Sequence, residues 1–521
     1  MDDQLLLQQM ERALVRAHVD EPDVLTTEEL RRLRYLISFA RLTVFEPGAA
    51  GPRAASGRGD IDVTDELLPW RQRVVDELTG PLRHEGLPAG RLARARDALA
   101  ALEPEMDEQR RQLIENHRND FSEAELDAEV GCKSLVLILG GGGGAGFVYV
   151  GAAQRFVEAG LVPDYLVGGS IGAVLGSVFA RQLPIPFEDY IEFARSLTYR
   201  ALLGPEPLRR RHGLTSVLSL RFDEYAAAMF EGPDGRPLRM KDTAIPFDTV
   251  VSGVHREIFK RLPASFRRQE LAAMQLRSLP VRPIGLGPQV VRRLWQVASF
   301  IDTRMVKPLV LGGDKLTREL NIVDAASFSA AIPGVLHHET NDPAMVPLLD
   351  DFLAIKDVSA LVDGVAASNV PAEQAWIKVQ RGRLGTRNAT YLALDCFHPQ
   401  LDPRHLWLTP ITRAVNLQMV RNAPYCDYLL ETAPTLSPLT LAPNAAALDQ
   451  AIAWGRASAE EAIPFVLAMQ EPVWWEGDAP SYEKAGLSAV IRGKAPSMKP
   501  LIEAARMSRA RLRGWRDRHF T

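Results

Sequence analysis

The stretch LVLILGGGGGAGFVYVGAA, residues 135–153, constrains the fold of this chain more than any other. Five consecutive glycines, Gly140 to Gly144, follow an aliphatic run, and Gly146 comes one residue later. No charge occurs between Lys133 and Arg155, a length suited to a bilayer crossing. Each glycine, however, costs about 0.8–1.0 kcal/mol relative to alanine in a helix, so five in succession argue against a membrane helix. What fits is a β-strand, a bare backbone loop and then a helix. Such a loop can be a tight turn without a ligand, or its N–H groups can converge on a phosphate or an oxyanion at the helix N-terminus. Gly141, Gly143 and Gly146 satisfy the G-x-G-x-x-G spacing of a dinucleotide site, with Asp164 about 20 residues on. The run by itself leaves these readings open.

The surrounding chain reads in three parts. Residues 1–130 are helical and mostly polar: TTEELRRLRYLISFARLTVF (26–45) opens with a capping-box pattern, and 87–118 reads as one or two solvated helices. Between them, 46–62 is a Gly/Pro/Ala/Arg loop without periodicity, expected to be mobile. Residues 131–400 alternate strands and helices, with strands expected over 135–139, 164–168, 246–252, 320–324, 358–363 and 389–395, the pattern of an α/β layer fold. Residues 401–521 return to helices, clearest at 454–469 and 497–520. Cys132, Cys396 and Cys426 are far apart and lack metal-ligand spacing, which argues against a disulfide framework or zinc site and fits a reducing, cytoplasmic compartment. The start, MDDQLLLQQMER, has acids where a signal peptide carries bases. A formal net charge of −4 predicts no bulk attraction to nucleic acid.

A second motif separates the readings of the glycine loop. DYLVGGSIGAVLGSVFA (164–180) contains Gly168-Gly169-Ser170-Ile171-Gly172, a G-x-S-x-G between a strand and an apolar helix. In such an elbow only glycine neighbours leave room for the turn that exposes the serine oxygen. A nucleophilic serine needs a base. His398, His405 and His519 are late histidines, and His337 and His338 lie earlier, where solvated or packing roles suit them. The alternative is a carboxylate at a strand end, and SALVDGVAASNVPAE (359–373) supplies Asp363 followed by Gly364, with Asn369 and Pro371 behind it. Asp350, Asp351 and Asp357 are nearby but lack that sequel.

Together these segments resemble the patatin-like phospholipase family over roughly 133–400. The matching motifs are the glycine loop GGGGGAG (140–146), the elbow GGSIG (168–172) and Asp363-Gly364, with AASFSAAIPGVL (325–336) similar to the helix and Ile-Pro-Gly turn that precede the aspartate strand. The resemblance implies a three-layer α/β/α fold with a central, mostly parallel sheet, flanked here by helical N- and C-terminal regions. It implies a Ser170–Asp363 dyad, without metal or cofactor, hydrolysing fatty acyl esters of glycerolipids through an acyl-enzyme, with oxyanion donors at Gly142, Gly143 and Gly144. Gly168, Gly172 and Gly364 support the motifs. Two departures stand out: many members carry Arg or Lys where this chain has Ala145, and Gly or Ala where it has Val365. Ala145 raises the question of how the loop is braced, and gives weight to a neutral-lipid esterase or acyltransferase using the same dyad. A catalytically silent membrane- or nucleotide-binding protein is the alternative from another class.

A lipid substrate calls for membrane contact. Within a helical insertion expected near 254–300, residues 254–295 hold nine Lys/Arg against Glu257 and Glu270, interleaved with Phe259, Phe266 and Trp295. This composition suits a peripheral contact with the inner face of an anionic membrane, and equally a solvated basic face on a lid.

Overall fold

The computed structural model describes residues 2–48, 57–83, 86–205, 304–399, 409–477 and 479–480, together with 211–257 apart from 215, 217, 223–226 and 233. Most of the basic insertion (258–303), the centre of the 46–62 loop, the helix expected over 497–520, His405 and His519 lie outside the described residues.

The chain opens with five helices: α1 (Asp2–Asp20), α2 (Thr27–Arg41), α3 (Leu68–Arg83), α4 (Pro88–Asn116) and α5 (Glu123–Gly131). Thr26 caps α2 as its sequence predicts, accepting the Glu29 N–H while the Glu29 carboxylate accepts the Thr26 N–H. The 87–118 stretch is one helix, started by Pro88 in its first turn. Its mixed charge conceals an inner stripe: Leu92, Leu99, Leu102, Met106 and Leu113 are buried in a core shared with α1, α2 and α3.

Helix α1 also joins this bundle to the rest of the molecule. Buried Glu11 pairs with Arg34 at 3.3 Å and with Lys133, just ahead of the first sheet strand, at 3.0 Å. Gln8 accepts the Trp376 indole N–H and donates to Asp427.

The central sheet has seven strands: β1 (Ser134–Leu139), β2 (Tyr165–Gly169), β3 (Phe247–His255), β4 (Val306–Leu311), β5 (Val358–Val362), β6 (Ala389–Asp395) and β7 (Tyr428–Glu431). Strands β7, β6, β1, β2 and β3 are neighbours in that order and parallel. The near-continuous apolar reading of β1 and β6 follows, since both strands are buried along their whole length. Alternation decides which layer each side chain meets. Leu135, Leu137 and Leu139 face the core under α6 (Val148–Glu158) and α7 (Ile171–Ala180), while Val136 and Ile138 pack with Trp376 and Val379 of a helix on the other face. The result is a three-layer α/β/α arrangement.

The antiparallel part of the sheet determines where the functional side chains go. Strand β2 pairs with β3 in parallel along Phe247–Val250, ending at Gly169 opposite Val250. Strand β5 pairs antiparallel along Ser252–His255, ending at Val362 opposite Ser252. Because β4 pairs with β3 along Thr249–Val254, β2 and β5 share the other edge and run toward each other. Their ends meet beside Val251.

Two expectations require correction. The strand expected over 320–324 is instead the start of helix α8 (Ile322–Ser329), fully buried. A short apolar run satisfies both periods, and burial on all sides removes the contrast that would separate them. Past residue 400 the chain is not helical alone: β7 extends the central sheet before helix α9 (Ala445–Gln470) begins. Helix α9 crosses α6 where a Cβ on Gly455 would lie 1.8 Å from the Val148 carbonyl and one on Gly151 1.9 Å from that of Ile452. Only a glycine pair permits that approach.

Candidate active site

Ser170 occupies the turn between β2 and α7 with φ 53° and ψ −124°, a left-handed conformation that a side chain adopts at a cost of about 1–3 kcal/mol. Local bonds hold it there. The Ser170 N–H donates to Ser329 Oγ at 2.8 Å, and Ser329 Oγ donates to the Val250 carbonyl at 2.6 Å. The Ser170 carbonyl accepts the first bonds of α7, from Ala173 and Val174. The flanking glycines leave no room for a side chain: a Cβ on Gly168 would lie 2.4 Å from the Gly172 carbonyl, and one on Gly172 would lie 2.2 Å from that of Leu139. Helix α7 therefore sits directly on the end of β1, with its N-terminus toward the serine.

Asp363 follows β5, and the converging strand ends bring it to Ser170 although 193 residues separate them. Ser170 Oγ donates to Asp363 Oδ2 at 2.7 Å. The other carboxylate oxygen accepts the Val365 N–H at 2.8 Å, which fixes the rotamer. The Asp363 carbonyl accepts from Ser252 Oγ of β3 at 2.7 Å, and a Cβ on Gly364 would lie 2.3 Å from the Val250 carbonyl. Ser170 is 5% exposed and Asp363 3%. Burial raises the Asp363 pKa from its ordinary 3.8 to about 7, against the lowering effect of the Ser170 and Val365 hydrogen bonds.

The glycine loop lies alongside. A Cβ on Gly141 would come within 3.0 Å of Ser170 Cβ and 2.1 Å of Val365 Cγ2, and the Gly141 N–H donates to the Asn369 carbonyl. Gly142 and Gly143 have φ values of 150° and 55°, the second in a region that favours glycine. Among the described residues no backbone acceptor takes their N–H groups, whereas the Gly144 N–H donates to the Pro438 carbonyl at 2.9 Å. Gly144 is thereby committed elsewhere and drops out of the expected set of oxyanion donors. The loop passes through a 3-10 turn (Gly143–Phe147) straight into α6, so a second helix begins beside the serine.

An apolar cavity of about 130 Å³ reaches Ser170 and Gly143. Val174, Leu175, Val178, Phe179 and Phe193 are among the side chains that line it.

The other candidates lie elsewhere. Asp164 accepts the Leu135 N–H at the start of β1, the opposite end from the glycine loop, where it could not meet a ribose on that loop. His337 bonds the Leu214 carbonyl, His338 bonds Asp324, and His398 bonds the Thr432 carbonyl. Asp350 contacts His212 and Arg211, and Asp357 lies 3.4 Å from Arg256. Sequence reasoning missed Ser329 as a partner of the elbow, Gln418, which holds the Asp363 turn through Val365, Ala366 and Asn369, and the residues after β7 that touch the glycine loop. Ser329 stands in the quoted AASFSAAIPGVL, but nothing in that string points it at Ser170.

Over 53 residues the chain is 43% identical to lysophospholipase nte1 of Neurospora crassa and 40% identical to lysophospholipase NTE1 of Coccidioides immitis. Each match covers 10% of this chain, and the chain spans only 4% and 3% of the length of those relatives. The family model for patatin-like phospholipase matches residues 137–376, a span that includes the glycine loop, Ser170 and Asp363. This chain therefore carries a patatin-like phospholipase domain.

Proposed function

We propose that the domain hydrolyses fatty acyl esters of glycerolipids, phospholipids foremost, with Ser170 as nucleophile and Asp363 as its base. The observation that carries this reading is the 2.7 Å bond between Ser170 Oγ and the buried Asp363 carboxylate at an apolar cavity. Ser170 Oγ attacks the ester carbonyl carbon while its proton passes to Asp363 Oδ2. The carbonyl oxygen, now an oxyanion, accepts hydrogen bonds from the Gly142 and Gly143 N–H groups; losing one such donor typically costs about 2.7–4 kcal/mol. As the C–O bond to the alcohol breaks, Asp363 returns the proton to the leaving oxygen. Water then attacks the acyl-enzyme as Asp363 takes its proton; the bond from the acyl carbon to Ser170 Oγ breaks, Asp363 returns the proton to that oxygen, and fatty acid leaves.

A carboxylate with its pKa raised to about 7 is matched to this work near neutral pH, because it both accepts and returns a proton readily. The acyl chain lies in the apolar cavity, where each buried methylene contributes about 0.8 kcal/mol. Ala145, fully buried in the glycine loop, favours a second reading, a neutral glycerolipid as substrate or an alcohol as acyl acceptor. Among the described residues no helix is long and apolar enough to cross a membrane. The peripheral contact expected over 254–295 falls almost entirely outside them.

Labelling with a fluorophosphonate probe tests the proposal. The unmodified chain takes up the probe and Ser170→Ala does not; folded protein that fails to label sinks the enzyme reading in favour of a silent binding protein. Competition by phospholipid or by neutral glyceride then distinguishes the two substrate readings.

A further inference from the structure

The glycine loop is held from outside the matched family span. The segment after β7 folds back over it as a compact strap, with the Thr440 N–H bonded to the Ser437 carbonyl and the Leu441 N–H to that of Leu439. Its Pro438 carbonyl takes the Gly144 N–H. The approach is close along the loop: a Cβ on Gly143 would lie 2.4 Å from the Pro438 oxygen, and one on Gly144 would lie 2.3 Å from that of Thr440. Leu441 of the same strap lines the apolar cavity.

The strap is anchored at both ends, by β7 in the sheet and by α9, whose first turn Asn444 caps through the Ala447 N–H. Its centre is tied by a side chain. Tyr199, in a short helix (Tyr199–Leu202), donates its hydroxyl to the Leu439 carbonyl at 2.9 Å. A single phenol thus ties the turn whose carbonyl fixes Gly144, next to the Gly143 N–H, which no backbone acceptor takes among the described residues.

We propose that Tyr199 is a positioning residue for the oxyanion site, acting through the 437–442 strap that holds the glycine loop in place. The inference rests on the hydrolase reading above. Removing the hydroxyl leaves the ring and the fold, but lets the strap drift and the Gly143 N–H with it. Loss of a whole oxyanion donor costs roughly 10²–10³ in kcat, and a donor that is loosened rather than lost costs less, about tenfold.

The test is Tyr199→Phe, assayed with a soluble medium-chain ester and with a trifluoromethyl ketone carrying the same chain, whose adduct with Ser170 is a tetrahedral oxyanion. The expected result is that kcat falls about tenfold, affinity for the ketone falls by a similar factor, and KM holds within about twofold. Hydrogen–deuterium exchange over 140–147 quickens in the variant, a readout that needs no turnover. Unchanged kcat, ketone affinity and exchange overturn the proposal, as does a rise in KM alone, which would make Tyr199 a wall of the cavity only. If the unmodified chain hydrolyses no ester the hydrolase reading fails, while the exchange measurement still decides whether Tyr199 holds the loop.

Discussion

Asp363→Asn separates the chemical and the structural roles of the buried carboxylate. The amide keeps the shape: its oxygen can still accept the Val365 N–H, and its nitrogen can donate to Ser170 Oγ, but it cannot take a proton. Burial raises the folded-state pKa of Asp363 from 3.8 to about 7, with no cation among the described residues opposing the penalty. Between those values the native state holds a proton that the unfolded chain has released, so the stability contributed by this residue falls as pH rises through that window. At about 1.4 kcal/mol per pH unit below the folded pKa, the penalty grows by roughly 2 kcal/mol between pH 5 and pH 7 and levels off above it. The amide has no such penalty. The variant is therefore expected to gain about 2–3 kcal/mol more over the parent at pH 8 than at pH 5, measured by denaturant unfolding at both. Over the same range its ester hydrolysis falls by about 10²–10⁴, while the parent's kcat/KM rises with pH and levels above about 7. An equal stability difference at the two pH values would refute the argument from burial. Full activity in the variant would refute the dyad and return the base to a histidine.

Two further outcomes follow from the same geometry. Glu11→Ala leaves Arg34 and Lys133 buried without their carboxylate, and is expected to destabilise the protein by about 3–5 kcal/mol in denaturant unfolding; a change under 1 kcal/mol would mean that the cations find other partners. Val178→Phe fills part of the apolar cavity, so hydrolysis of long-chain esters drops about tenfold or more relative to acetate esters; an unchanged chain-length profile would mean that the acyl chain lies elsewhere.

Much of the site was legible because its chemistry depends on glycine. At Gly143, Gly144, Gly168, Gly172 and Gly364 backbone must approach backbone, and at Gly141 and Gly142 the side chains of Val365 and Cys396 fill the space a Cβ would need, so these glycines stand out in the string. The capping box at Thr26 and Glu29 was legible for a similar reason, since its two bonds span only three residues. The stretch 320–324 was not, because a buried apolar run carries no period to read. Strands β4 and β7 were missed as well: one follows the undescribed basic insertion, and the other is a four-residue element among helices.

The sequence by itself determined the parts: a strand delivering bare backbone, a serine on a tight elbow, and an aspartate at the end of another strand. Its residues alone offered that aspartate or a histidine as base, and only the family resemblance implied the aspartate. Only the tertiary structure decided which groups meet, because β2 and β5 run head-on along one edge of β3 and stop within hydrogen-bonding reach. Strand pairing is a long-range contact between backbones that carries no local signature. The same is true of the strap from beyond residue 430, which turns the Gly144 N–H away from the site and leaves that of Gly143 beside Ser170.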